Sequence, residues 1–130
     1  MENDRILVID DDPGVVSLLV RLIREEGYAP QSTSDSREAL ALLQTVPFDL
    51  VVSDIVMPHL TGLQILEAAK RQNSDVEVLL VTAYSTPEVV QDALEKGASR
   101  LLEKPFDNEQ FRAAFHEALF RSHYRRGITA

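Results

Sequence analysis

Four short stretches carry side chains that could act together on a phosphoryl group. Asp10-Asp11-Asp12 follow the apolar run Ile6-Leu7-Val8-Ile9, and Asp54 follows Leu50-Val51-Val52-Ser53. Thr82 follows a run that starts at Val76, and Lys104 follows Arg100-Leu101-Leu102-Glu103. Carboxylates gathered in one crevice repel each other, by about 4 kcal/mol per pair at roughly 4 Å and an effective dielectric of about 20. Something positive must compensate. A small divalent cation fits, because Mg2+ takes hard oxygen ligands from one or two carboxylates and fills its other positions with water and phosphate oxygens. Lys104 supplies a second, movable positive charge. With both beside it, Asp54 can act as a nucleophile toward a phosphoryl donor, while Thr82 hydrogen-bonds an oxygen of the transferred group. The expected product is an aspartyl phosphate.

These residues meet only if the elements carrying them are neighbours. Short β-branched runs alternate with amphipathic stretches, the pattern of a parallel sheet covered by helices on both faces. Strands are predicted at Ile6 to Ile9, Ala29 to Thr33, Leu50 to Ser53, Val76 to Val81 and Arg100 to Glu103, each followed by helical spacing. The first helix carries the stripe Val15, Leu18, Leu19, Leu22 and Ile23, and the last carries Phe111, Phe115, Ala118 and Leu119. Thr61 with Gln64, Ser85 with Glu88 and Asp107 with Gln110 have capping-box spacing. Gly27 and Gly97 stand where helices should stop. The first, third and fourth strands are nearly all apolar, whereas the second and fifth mix in polar residues and should be the edges. Right-handed crossovers then give an α/β, flavodoxin-like five-stranded parallel sheet of order 2-1-3-4-5, whose crevice lies at the carboxyl ends of strands one and three. Asp10 and Asp54 follow those two strands.

Composition narrows the function classes. The 130 residues are 45% hydrophobic, enough for one core and too few for two. One domain is expected over residues 1–122, with 123–130 a tail or the start of a linker. Thirteen basic against 21 acidic residues leave a net charge of −8, which disfavours direct binding to nucleic acid or anionic lipid. There is no cysteine, so neither disulfides nor thiolate metal sites arise. No apolar run approaches the roughly 18 residues of a membrane span, and a cytoplasmic location is the default expectation.

Taken in order, Asp10-Asp11, Asp54, Met57-Pro58 with Gly62, Thr82-Ala83 and Lys104-Pro105-Phe106 resemble the receiver domain of two-component response regulators over about residues 4 to 122. The resemblance implies Asp54 as phosphoacceptor, Asp11 as a direct ligand of Mg2+ (or Mn2+), Asp10 as a ligand through water, and the backbone carbonyl of Val56 as a further ligand. It implies that Thr82 and Lys104 bind the phosphoryl group and that the Lys104-Pro105 bond is cis. It also implies a phosphohistidine donor, from a sensor histidine kinase or a histidine phosphotransfer protein, docking near the first helix. The face formed by helix 4, strand 5 and helix 5 would pair with another receiver or with an output domain, which this stretch does not contain. The chain would be a phosphorylated signalling domain that assists its own phosphoryl transfer, rather than an enzyme with turnover.

One position departs from that pattern. Where many relatives place a Tyr or Phe that rotates inward on phosphorylation, this chain has Leu101, so the expected switch is a Thr82 shift with Leu101 repacking behind it. Val56 and Tyr84 would flank the acyl phosphate, and neither suits activation of a hydrolytic water, so slow loss over minutes or longer is expected. Structural roles account for other residues. Asp12, with Pro13 at the first helical position, reads as the N-cap of the first helix. His59, His116 and His123 share no metal spacing and read as solvent-facing. Phe106 and Phe111 read as packing beneath the last helix, and Arg121 to Gly127 as a fraying helix end or linker.

Three other functions meet obstacles in the same residues. Asp10-x-Asp12 mimics the nucleophile motif of haloacid-dehalogenase-like phosphatases, but the acids after Lys104 (Asp107, Glu109, Glu117) fall on a predicted helix, and Asp54 would be idle. A flavodoxin needs a first turn that cradles a phosphate dianion, which three aspartates would repel. A receiver fold kept purely for binding would not need Asp11, Asp54, Thr82 and Lys104 together.

Overall fold

The computed structural model of the chain describes residues 4–128. Residues 1–3 and 129–130, the outer ends of the expected domain and tail, lie outside the described residues. The elements run β1 (Ile6–Ile9), α1 (Pro13–Glu25), β2 (Gln31–Thr33), α2 (Ser36–Thr45), β3 (Leu50–Asp54), α3 (Gly62–Gln72), β4 (Glu77–Thr82), α4 (Pro87–Glu95), β5 (Arg100–Glu103) and α5 (Asn108–Arg125). All strands are parallel, in the order β2-β1-β3-β4-β5. The expected order and edges are therefore present.

Strand alternation explains the layering, because successive side chains leave a sheet on opposite faces. Ile6, Val8, Leu50, Val52, Leu79 and Val81 point to the side covered by α1 and α5, where they meet Leu19, Leu22, Ile23, Phe111 and Phe115. Leu7, Ile9, Val51, Val78 and Leu80 point the other way, against Ala39, Leu43, Ile65, Leu66 and Ala93 of α2, α3 and α4. Phe106 stacks on Phe111, and Phe111 on Phe115, at ring-centroid distances of 6.1 and 6.0 Å. Among the described residues no helix is long and apolar enough to cross a membrane.

Boundaries differ from the sequence expectation where backbone chemistry intervenes. β2 starts at Gln31 rather than Ala29, since Pro30 has no N–H to give a ladder. β3 and β4 run on through Asp54 and Thr82, which pair with Val81 and Glu103. The boxes at Thr61/Gln64 and Asp107/Gln110 are formed. Ser85 with Glu88 is not a cap: Pro87 takes the first helical turn, where its fixed φ fits, so Thr86 caps α4 by accepting from Val89 N at 3.2 Å. Ser85 instead donates to the Glu103 carboxylate. Gly27 and Gly97 end α1 and α4 at φ 96° and 95°, in the left-handed region that suits glycine.

The largest departure concerns the last helix. Rather than fraying beyond Arg121, α5 continues to Arg125 and docks on the amino-terminal edge of the sheet. His123 Nε2 lies 2.8 Å from Asp4 Oδ2, and Arg126 bonds the same carboxylate and approaches Asp49 Oδ2 at 3.5 Å. Arg125 Nη1 is 3.0 Å from the buried Glu77. Burial works against ionisation of Asp4, but the Arg126 and His123 bonds outweigh it and hold its carboxyl below the usual range. Of the three histidines expected to face solvent, His59 and His116 do, His116 while bonding Glu26 at 2.5 Å, whereas His123 is drawn into this cluster.

Two stability tests follow. A chain ended at Ser122 removes His123 and Arg126 from the buried Asp4, so urea unfolding should show a loss of about 3 kcal/mol. Asp4 has a depressed folded pKa, so its contribution is present above about pH 4 and is lost as pH falls through that lower value. Gly62 tolerates no side chain, because a Cβ there would lie 2.3 Å from the Asp54 carbonyl oxygen and 2.7 Å from Ile55 Cα. Gly62→Ala should cost about 2 kcal/mol or more in the same measurement.

Candidate phosphoryl and metal site

Parallel strands deliver their carboxyl ends to one edge, and the register sets which residues meet there. Ile9 pairs with Ser53, Asp54 with Val81, and Thr82 with Glu103. Asp10, Asp54, Thr82 and Lys104 consequently stand at the tips of β1, β3, β4 and β5. Asp10, Asp11 and Asp54 each offer an oxygen within 4.8 Å of the others, a group able to hold a metal ion. Asp10 is fully buried and Asp54 nearly so, whereas Asp11 faces solvent.

Lys104 reaches into this group. Its Nζ donates to Asp10 Oδ2 at 2.9 Å and to Asp54 Oδ2 at 3.1 Å. The second oxygens are held by the backbone: Asp12 N donates to Asp10 Oδ1 at 3.0 Å, and Val56 N donates to Asp54 Oδ1 at 3.3 Å. Burial pushes the Asp10 carboxyl up, with the Asp54 charge adding to it and the bonds from Lys104 and Asp12 only partly opposing. Burial of Lys104 favours its neutral form, but the two carboxylates outweigh this and raise its pKa. The lysine is therefore firmly cationic between two acids.

The remaining residues frame the crevice. Asp12 caps α1 by accepting from Gly14 N at 2.9 Å, which leaves it with the structural role expected of it. Thr82 is fully buried, and its Oγ1 accepts from Tyr84 N at 3.0 Å, so the hydroxyl hydrogen is still available to an incoming oxygen. Lys104 N donates to Thr82 O at 2.8 Å, tying the two tips together, and the Lys104-Pro105 bond is cis. Val56 and Tyr84 are 54% and 71% exposed at the rim. Leu101 pairs with Leu80 and packs, partly buried, on the side of α2, α3 and α4.

Several contacts were not foreseen from sequence. The Ser85–Glu103 bond ties the β4–α4 loop to the strand that carries Lys104. Ser36 crosses from α2 to the β3–α3 loop, bonding Pro58 O and Leu60 N. Ser36 gives no signal in one dimension, since a Ser behind Asp35 reads as ordinary helix-start chemistry.

A family model described as the response regulator receiver domain matches residues 6–116. The chain is 36% identical over 122 residues to the transcriptional regulatory protein ZraR of Escherichia coli K12, covering 94% of this chain but 28% of that protein. It is 32% identical over 119 residues to sporulation initiation phosphotransferase F of Bacillus subtilis, covering 92% of this chain and 96% of the relative. Among solved structures, a CheY-like response regulator receiver domain protein from Methanospirillum hungatei superposes with a TM-score of 0.88 at 26% identity, over 94% of this chain and 98% of that one. The chain thus spans under a third of the first relative and nearly all of the second.

A stability test isolates the charge problem at this edge. With divalent ions chelated, Asp10→Asn should raise stability at pH 7 by about 1 kcal/mol, since it removes a buried charge disfavoured where it stands. The folded pKa of Asp10 is raised, so wild-type stability grows as pH falls through it and the gain is complete near pH 4. The advantage of the asparagine should accordingly vanish there, which urea titrations at the two pH values would measure.

Proposed function

Since the chain belongs to the response regulator receiver domain family of two-component signalling, we propose that Asp54 is its phosphoacceptor and that Asp10, Asp11, Asp54 and the Val56 carbonyl hold Mg2+ (or Mn2+). The observation that carries this reading is the Lys104 ammonium lying between Asp10 and Asp54, with Asp11 close by. The donor set is all hard oxygen, which fits such an ion. Bound there, the ion would supply Lewis-acid neutralisation of the carboxylates and of the phosphoryl oxygens.

The chain's own groups do the rest. Asp54 Oδ2 attacks phosphorus; the new O–P bond forms as the N–P bond of a phosphohistidine breaks, and the imidazole leaves with its electron pair. Val56 N fixes the other Asp54 oxygen, so the carboxylate presents one face. Lys104 offsets charge growing on the transferred oxygens, and Thr82 donates its hydroxyl to one of them. Once the group is in place, the new contacts to Thr82 and Lys104 bias a two-state equilibrium, with Leu101 repacking on the α4 side.

The donor is a sensor histidine kinase or a histidine phosphotransfer protein docking near α1, and the α4–β5–α5 face serves a second receiver or an output domain. An output domain beyond these residues is consistent with the short span against the first relative, whereas a self-standing relay protein is consistent with the second. Localisation in the cytoplasm goes with either.

Incubation with Mg2+ and a small acyl-phosphate donor should add a single phosphoryl group, read by mass, that Asp54→Asn abolishes; an unchanged adduct in that variant overturns the assignment. In the purified protein the adduct should persist for minutes or longer, since apolar Val56 and bulky Tyr84 at the rim are unsuited to activating water. Loss within seconds would contradict that part.

A further inference from the structure

Ser36 is the first residue of α2 and is 2% exposed. Its Oγ donates to Pro58 O at 2.6 Å and accepts from Leu60 N at 3.1 Å, across more than twenty residues of chain. Leu60 N also points at Pro58 O, at 3.0 Å, which closes a three-residue turn around His59. His59 has φ 75°, and it is the only non-glycine with positive φ among the described residues. Such a turn is rare and strained, and persists where its surroundings hold it. Here the holding group is one buried hydroxyl that satisfies both backbone groups flanking the strained residue.

The turn forms the tip of the loop from Ile55 to Gly62. The base of that loop is closed by Gly62 N donating to Ile55 O at 2.8 Å, and its first residues include Val56, whose N–H fixes Asp54. Ser36 is tied in turn to the other side of the site. Thr33 Oγ1 accepts from Asp35 N at 3.1 Å, and Thr33 O accepts from Asp10 N at 3.4 Å. A continuous run of bonds therefore leads from the Asp10 backbone through residues 33–36 to the tip of the loop that presents Asp54 and Val56.

We propose that Ser36 is a positioning residue for the divalent-ion site, bracing the β3–α3 loop against the strand that carries Asp10. The inference rests on the metal assignment given above. Without the hydroxyl, Pro58 O and Leu60 N lose their shared partner, His59 relaxes toward negative φ, and the Val56 and Asp54 oxygens are no longer held at one separation from Asp10. The hydroxyl touches no ligand itself.

Calorimetric titration of the folded chain with MgCl2 tests this in wild type, Ser36→Ala, His59→Gly and the double variant, with no phosphoryl donor present. Ser36→Ala should weaken Mg2+ binding about three- to tenfold, below the roughly 10- to 100-fold known for groups bonded directly to a metal ligand, because Ser36 acts at one further remove. In the His59→Gly background the same change should cost clearly less, because glycine takes the left-handed conformation without help. Ser99→Ala serves as the control: that hydroxyl also bonds two partners, Val78 N and Glu77, but at the opposite edge of the sheet, so affinity should stay within about twofold. If Ser36→Ala does not fold, the near-isosteric pair Ser36→Thr and Ser36→Val separates hydroxyl from volume, and only the valine should weaken binding. Wild-type affinity in Ser36→Ala, an equal loss in Ser99→Ala, or an equal loss in both His59 backgrounds overturns the brace while leaving the metal assignment standing. A wild-type chain that takes up no Mg2+ overturns that assignment, and the brace with it.

Discussion

Like charges gathered at one edge of a sheet must be neutralised, and in this fold the task falls on a side chain from the far side. Adjacent strands lie about 4.8 Å apart, so β5 stands roughly 10 Å from β3 and further still from β1. Lys104 nevertheless bonds both Asp54 and Asp10. It does so because the segment after β5 turns back over the sheet edge: Lys104 N is tied to Thr82 O, and Phe106, two residues on, is anchored on Phe111 of α5. The aromatic stack within the core thus helps aim the ammonium at the crevice, and packing and electrostatics form one arrangement.

The opposite edge meets a related difficulty differently. Asp4, Asp49 and Glu77 stand at the amino-terminal ends of β1, β3 and β4, and the last turns of α5 bring His123, Arg125 and Arg126 down onto them. There the buried Asp4 and Glu77 and the half-buried Asp49 each have an arginine nearby. At the carboxyl edge, Asp10 keeps a raised pKa and Asp11 stays open to solvent, so the acids are left under tension. Close cationic partners at one end and incomplete compensation at the other thus distinguish the two edges of the sheet.

Much of this was legible in the sequence because it depends on short-range patterns. Apolar runs of three or four residues located β1, β3 and β4, and the polar content of Gln31-Ser32 and of Arg100 and Glu103 marked the edges. Once strand order is known, Asp10, Asp54, Thr82 and Lys104 must share an edge, so their convergence follows from topology. Caps were readable at Thr61 and Asp107, and were misplaced by one residue at Ser85, where the geometry of Pro87 outweighs the Ser-x-x-Glu pattern. What stayed hidden depends on contacts between residues distant in the chain. The docking of His123 and Arg126 on Asp4 spans about 120 residues, and a basic tail looks the same whether it frays or finds acids. Ser36 is hidden for the same reason, as its partners are carbonyl and amide groups that every residue possesses.

The alternation of side chains along the sheet also decides which part of the molecule senses an event at its edge. Leu80 and Leu101 face α2, α3 and α4, and Thr82, two residues beyond Leu80, lies on that same face. The slab made by α1 and α5 rests on the other set of strand residues and is moored at its far end by Asp4, Asp49 and Glu77. Under the function proposed above, a shift of Thr82 would therefore press first on the α2, α3 and α4 layer. On that proposal a partner seated on α1 would meet nearly unchanged contours, whereas one that spans α4, β5 and α5 would straddle both layers and would register the shift through its α4 and β5 contacts.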